Sequence, residues 1–512
     1  MPPMTPDAHP PIRPIALSSI RPSAQSPNPI CCSIAGSDSS AGAGIQADLK
    51  TFQSFGVYGC TVVTAVTAQN TQGVQRVASL DPDLVAAQLK SLADDLTPAA
   101  IKIGMLGTAG IVTAVADALE HLDARVICDP VLASTSGTRL LDDDALAVLR
   151  TRLLPRVNLL TPNRPEAEIL LGRAIATPAE VEQAARDLLQ TGVKCVLIKG
   201  GHAGGEVSAD YWTNGRMGGW ISSRRINTPH THGGGCTLSS AIAAAHALGF
   251  GGLDAIVLAR AYVNQGLRHG GGIGKGRGPL AHLGWPNQPQ DLPVLTDHAP
   301  ATLDGPAFPA PAPLGLYPIV DRADWIARLL PLGVKTIQLR AKDLTGAARE
   351  AEVRRAIALG RQYDAQVYIN DHWQLALQHG AYGVHIGQDD LPGTDLEALR
   401  AAGLRLGIST HGYAEIARAL AVKPSYIAIG TLFHSPSKTF AHAPLGLPAF
   451  RRLRALVGVP VVAIGGITVD RAPEVYAAGA DGIAVISDVT QAQDLAAHVA
   501  AWQAIAPTPR PR

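Results

Sequence analysis

Three consecutive glycines, Gly233, Gly234 and Gly235, run into Cys236 and an apolar, helix-forming stretch that ends near Gly249. Glycine lets a backbone approach an anion closely, and a helix N-terminus offers unpaired N–H groups at the positive end of its dipole. The segment therefore reads as an anion hole for a phosphoryl group in transfer. Cys236 stands in the first helical turn, where a thiolate is favoured and can take a proton from a hydroxyl. Other polar residues close strand-like runs nearby in the text. Lys199 ends Cys195–Lys199, Asp129 follows Cys128, and Asn163 and Glu166 follow Leu159–Thr161. A lysine can meet a phosphate there, and Asn163 and Glu166 can meet magnesium or its waters. Phosphoryl transfer needs positioning, positive charge and magnesium more than covalent chemistry. Any one of these residues could be a surface charge or a helix cap; their convergence on strand ends favours a site.

A second constellation lies in the C-terminal half. In Thr336–Lys342 the polar residues alternate, so a strand over that run would put Gln338, Arg340 and Lys342 on one face. Two cations inside a barrel are costly unless an anion meets them. Asn370 and Asp371 end the next run, and Asp389 and Asp390 follow Gly383–Gln388. Carboxylates on neighbouring strand ends can share one magnesium, with a substrate diphosphate completing its shell. Ser435, Ser437 and Lys438 add hydroxyls and a cation, while Gly466, Ile486 and Ser487 mark two further strand ends. The last strands of a barrel commonly hold a phosphate monoester through backbone donors. The pattern supports two anion sites, a magnesium–diphosphate and a separate phosphate.

These residues need strands whose ends meet. After residue 313, eight short apolar runs recur between amphipathic segments: Leu316–Asp321, Thr336–Lys342, Gln366–Asp371, Gly383–Gln388, Arg405–Thr410, Tyr426–Phe433, Pro460–Gly466 and Gly482–Ser487. That is the repeat of a small (β/α)8 TIM barrel over 314–505, whose C-terminal strand ends form the active face. Residues 30–285 also alternate, with strands expected at Cys32–Ala35, Thr61–Thr67, Ile101–Gly104, Val126–Pro130, Leu159–Thr161 and Cys195–Lys199. Helices are expected at about Ala43–Phe55 and Pro178–Thr191. This implies a three-layer α/β/α domain on a mainly parallel sheet. Residues 286–313 carry prolines throughout and predict a stiff, partly extended linker, with a reach on the order of 80 Å. Residues 1–29, rich in proline and serine, read as a disordered tail without the apolar core of a secretory signal.

The 512 residues are 46% hydrophobic and 17% charged with a net charge of +1, which gives no basic field for nucleic acid or an acidic membrane surface. The six cysteines show no metal-binding spacing and fit a reducing cytoplasm.

The segment Ser33–Asp48, the run Thr64-Ala65-Val66-Thr67-Ala68-Gln69-Asn70-Thr71, and the TPNRPEAE, IKGGH and Gly-rich cysteine motifs resemble the hydroxymethylpyrimidine and hydroxymethylpyrimidine-phosphate kinases. The resemblance implies a ribokinase-like fold and ATP as co-substrate. It places Gly36, Asp48, Thr67 and Gln69 around the pyrimidine, Cys236 as base, and Asp129, Asn163, Glu166 and Lys199 around the nucleotide and magnesium. Gly234 departs from the family, which usually has threonine there; the backbone donor survives and a hydroxyl is lost.

The motifs QLRAK, YIND, GVHIGQDDLP, GISTH, FHSPSK, IGGI and AVIS resemble thiamine-phosphate synthase over about 314–500. That family joins hydroxymethylpyrimidine diphosphate to thiazole phosphate. The resemblance implies that Gln338, Arg340, Lys342, Asn370, Ser409 and Lys438 hold the pyrimidine diphosphate. Asp371 and Asp390 would bind Mg2+, and Ser435, Ser437, Gly466, Ile486 and Ser487 the thiazole phosphate. Diphosphate would leave against magnesium and the cations, and the thiazole nitrogen would attack the electron-poor methylene, with electrostatics and proximity supplying most of the catalysis. The expected partners are these small molecules and not nucleic acid or membrane. Oligomeric state is left open, a homo-oligomer included. Two alternatives also stand open: an N-terminal kinase for pyridoxal or a related vitamin, and a non-catalytic ligand-binding role for one half.

Overall fold

In the computed structural model, which describes residues 29–132, 141–201, 204–434 and 443–505, the first half is built on one ten-stranded sheet. Its strands are β1 (Ile30–Asp38), β2 (Tyr58–Asn70), β3 (Gly73–Ser79), β4 (Ala100–Ile103), β5 (Arg125–Cys128), β6 (Leu159–Leu160), β7 (Val196–Ile198), β8 (Val207–Thr213), β9 (Gly218–Arg224) and β10 (Val294–Thr296). They lie in the order β10-β9-β8-β7-β6-β5-β4-β1-β2-β3. The six expected strands form its parallel centre. The antiparallel β3, β8, β9 and β10 extend it on both sides. Gly44–Phe55 and Pro178–Leu189 are helical as expected. The helices Gly234–Ala247 and Gly252–Arg268 are buried on nearly every face, which suits their alanine-rich sequence.

The second half is a closed, all-parallel barrel of β11 (Gly315–Val320), β12 (Thr336–Leu339), β13 (Gln366–Asn370), β14 (Gly383–Ile386), β15 (Arg405–Thr410), β16 (Tyr426–Gly430), β17 (Val461–Ile464) and β18 (Gly482–Val485). β18 closes on β11. Three tyrosines fill the bore, Tyr317, Tyr368 and Tyr426. Their bulk is matched by glycine opposite. A Cβ on Gly407 would lie 2.1 Å from the Tyr426 ring, and one on Gly383 2.7 Å from that of Tyr368.

The segment 286–313 is not the extended tether its prolines suggest. It holds a 3-10 turn at Pro289–Asp291 and the strand β10, which pairs with β9. Proline is tolerated there because β10 is the sheet's edge and follows Pro293 directly. Asp291 is fully buried, pairing with Arg268 at 2.9 Å, while its carbonyl accepts from the Asn264 side chain at 2.8 Å. Farther along, Phe308 is buried on the barrel, its N–H donating to the Lys423 carbonyl at 3.0 Å and Arg400 stacking on its ring.

The segment therefore joins halves that already touch. Trp285 packs on Phe55 and Phe250, donates to the Tyr413 hydroxyl at 3.2 Å, and is covered by Arg452. One buried apolar cluster runs from the helices of the first half into the barrel.

Candidate functional sites

A cavity of about 750 Å³ opens at the C-terminal ends of the central strands of the first half. Gly36, Thr67, Gln69, Asp129, Asn163, Glu166, Lys199, Gly233, Gly234, Gly235 and Cys236 all line it. The glycine run is held by close contact. Gly233 has φ 78°, and a Cβ there would meet the Gly42 carbonyl oxygen at 1.9 Å. A Cβ on Gly235 would lie 3.2 Å from Lys199 Nζ and 3.3 Å from an Asp129 oxygen. Gly235, in the first turn of the helix Gly234–Ala247, thus packs directly against the Lys199–Asp129 pair.

Lys199 Nζ pairs with Asp129 at 2.5 Å and lies 3.9 Å from Glu166. Burial works against its charge, but Asp129 and Glu166 more than offset this and hold the ammonium above its usual range. Asn163 and Glu166 also form a reciprocal capping box at the start of the helix Arg164–Leu171. Burial lifts the Glu166 carboxyl to about 7, against Lys199 and with help from Asp129. A carboxylate raised this way gains most from a cation, which fits magnesium.

Two expectations are corrected. Asp48 does not line the cavity: it is fully buried one layer behind, bonded to Ser33 at 2.5 Å, Ser240 at 2.6 Å and Lys102 at 2.8 Å. It anchors helix Gly44–Phe55 to the sheet rather than facing a ligand. Cys236 is not a ready thiolate. Burial pushes its thiol up, and Asp48 and Asp129 add to the rise against Lys102.

Residues not anticipated complete this wall. Lys102, inside the apolar β4, is fully buried and reaches the cavity floor. Its signal was a lone lysine within a short apolar strand. His232 Nε2 lies 3.0 Å from Asp38 and 3.2 Å from the Gln69 amide nitrogen. Burial disfavours the Asp38 carboxylate, yet His232, Ser40 and the Ala43 N–H hold its pKa down to about 2. The carboxylate fixes the imidazole by accepting its Nε2–H, and the Gln69 amide lies beside the same nitrogen.

In the barrel, β12 ends at Leu339, so strand alternation does not align the expected trio. Gln338 points into the bore, 3.4 Å from the Tyr317 hydroxyl, while Arg340 and Lys342 lie on the following loop. Lys342 turns back to within 3.5 Å of Asp371. Asn370 is buried at the end of β13. Burial first, then the charge of Asp371 raises the Asp390 carboxyl, and the two acids are within hydrogen-bonding reach of each other. Such a pair is relieved by a shared cation, so it fits Mg2+. Among the described residues no three His, Cys, Asp or Glu side chains cluster as a metal site.

Ser409 Oγ lies 2.8 Å from His385 Nε2; His385 Nδ1 lies 2.8 Å from the Tyr426 hydroxyl, and that 2.7 Å from Tyr317. Burial lowers the His385 pKa to about 4, so the ring is neutral and passes one hydrogen-bond direction to Ser409. His385 carried a signal, an imidazole in the middle of a buried strand. Gly466, with φ 62°, follows β17, and Ile486 and Ser487 follow β18. A Cβ on Gly466 would meet the His434 carbonyl oxygen at 2.3 Å. Ser435, Ser437 and Lys438 lie outside the described residues, as do 1–28 of the expected tail.

Residues 38–281 match the family model described as phosphomethylpyrimidine kinase, and residues 316–489 match that described as thiamine monophosphate synthase. The barrel half is 55% identical over 195 residues to the thiamine-phosphate synthase of Serratia proteamaculans, covering 38% of this chain and 92% of that protein. It is 56% identical over 197 residues to that of Salmonella newport, covering 38% and 93%. A solved phosphomethylpyrimidine kinase from Clostridium difficile is 38% identical, with 46% of this chain and 98% of that one covered and a TM-score of 0.42. A Staphylococcus aureus pyridoxal kinase solved with pyridoxal is 31% identical over 50% and 94%, with a TM-score of 0.47.

Proposed function

The chain belongs to the phosphomethylpyrimidine kinases through its first half and to the thiamine-phosphate synthases through its barrel, and on that premise we propose how its residues divide the work. It is a bifunctional transferase of thiamine biosynthesis, and the family match does not favour the alternatives of a different vitamin kinase or a non-catalytic half.

In the first half the acceptor is hydroxymethylpyrimidine and then its phosphate, with ATP as donor. Gln69, beside His232 and Asp38 on the cavity wall, reads the pyrimidine edge. Lys199 and the N–H groups after Gly233 face the transferring phosphoryl group. Asp129, Asn163 and Glu166 hold the nucleotide's magnesium. Cys236 would take the hydroxyl proton as its thiolate, the form that Lys102 favours and that burial opposes. The observation that carries this reading is the Lys199–Asp129 pair set directly against Gly235 in one cavity.

In the barrel, Asp371 and Asp390 would hold magnesium, which neutralises charge on the departing diphosphate. Gln338, Arg340, Lys342, Asn370 and Ser409 would orient the pyrimidine diphosphate, and Gly466, Ile486 and Ser487 the thiazole phosphate. A cytoplasmic setting is supported by six free cysteines, and no helix among the described residues is long and apolar enough to cross a membrane.

The test is one assay: protein, hydroxymethylpyrimidine, ATP, magnesium and thiazole phosphate should yield thiamine phosphate. No product beside active control enzymes would refute the reading. Cys236→Ala should lower both phosphorylations, read as ADP release, and leave coupling of supplied pyrimidine diphosphate unchanged.

A further inference from the structure

The barrel helix Tyr413–Ala421 starts on Gly412, which has no side chain to cap its free N–H groups. The missing acceptor comes from the other half of the protein. Asp254 Oδ1 accepts from the Ala414 N–H at 2.7 Å. Asp254 sits in the first turn of helix Gly252–Arg268 and is 2% exposed. The fit is close: the three atoms nearest a Cβ on Gly412 would all belong to Asp254, the closest at 2.7 Å. Gly412 has an extended φ of −158°, open to any residue, so this contact and not its backbone accounts for a glycine there.

The capped helix is tied to the synthase site. β15 presents Ser409 just before Gly412. Gln388 donates to the Ser409 carbonyl at 2.9 Å and reaches the Glu415 carbonyl, in the first turn of the helix, at 3.5 Å. Gln388 also opens the loop that carries Asp389 and Asp390. Glu415 returns to accept from the His411 N–H at 2.8 Å. Hydrogen bonds thus join strand end, helix start and acidic loop.

We infer that Asp254, contributed by the kinase half, is a positioning residue for the coupling reaction: by capping the barrel helix it sets the β15 end that presents Ser409 and, through Gln388, the loop that presents Asp390. The inference rests on the synthase reading of Ser409 and Asp390. Asp254 itself lies outside the kinase cavity, which is lined by Arg260, Val263 and Asn264 farther along the same helix.

The experiment measures both activities in the full chain. Asp254→Ala should raise the synthase KM for pyrimidine diphosphate by about fivefold or more while kinase turnover stays at the wild-type level. Asp254→Asn keeps a cap oxygen and should restore most of the KM. Gly412→Ala, which pushes against the carboxylate from the barrel side, should raise the same KM. Added to Asp254→Ala it should cause no further rise, because its clash partner is gone. A synthase KM within twofold of wild type in Asp254→Ala overturns the inference. So does a parallel fall of both activities, or a Gly412→Ala effect that simply adds. A wild-type protein that makes no thiamine phosphate from the supplied diphosphate overturns the synthase reading instead, and the inference with it.

Discussion

Gly233 holds a left-handed backbone and faces the Gly42 carbonyl so closely that no methyl fits between them. Gly233→Ala should therefore displace the start of helix Gly234–Ala247 and cut kinase turnover by on the order of 100-fold or more, while the barrel keeps coupling supplied diphosphate. ADP release and thiamine phosphate formation read the two separately. Glu166 titrates near neutrality because burial disfavours its charge. In the proposed role its proton competes with magnesium, so half-saturation by magnesium in the kinase assay should rise as pH falls below about 7, by up to about tenfold per unit. Glu166→Gln should weaken magnesium binding and flatten that dependence. At this scale Lys199 and Asp129 were legible because each directly follows a short apolar strand, and the glycines and Glu166 because they stand where a helix begins. Asp48 was not, because a carboxylate facing a ligand and one facing a buried Lys102 read alike until the layers are stacked.

Among the elements, the barrel strands announce themselves. Each is buried on both sides, so its sequence is a short apolar run, and the observed bounds fall within a few residues of those expected. The hairpin β8–β9 is not among the expected strands although Asn214-Gly215 marks its turn, where Asn214 Oδ1 accepts from the Arg216 and Met217 N–H groups. Its strands alternate too weakly to stand out from loop. β12 was read too long, because Arg340 and Lys342 continue the alternation after the strand has ended. Packing between strands is harder to read still: Gly407 looks like a weak point in β15 and is the space that Tyr426 occupies. Gly407→Ala should destabilise the barrel by about 1–3 kcal/mol through overpacking. The measurement is the urea midpoint followed by near-UV tyrosine signal, with the kinase activity as internal control.

For the whole molecule, the contact between the halves left almost no trace in the sequence. Trp285, Phe250 and Tyr413 come from distant segments, and nothing in their local patterns says that they meet. Prolines imply stiffness, which is a property of free chain, whereas here neighbouring surfaces fix the segment's path. Because a single apolar cluster spans both halves, the wild-type protein should unfold in one calorimetric transition. Trp285→Ala removes the ring at the junction and should split that transition in two. A single transition unchanged in midpoint would show that the junction adds nothing to cooperativity. The strand β10 sets where the halves can be parted. A kinase half ended at Trp285 would leave β9 as a bare edge of unpaired N–H and C=O groups, an invitation to pair with another molecule. One continued through Thr296 keeps its own border. The natural seam of this protein thus lies past Pro286, Pro289 and Pro293, and the first stretch of what looks like connector is the selvedge of the kinase sheet.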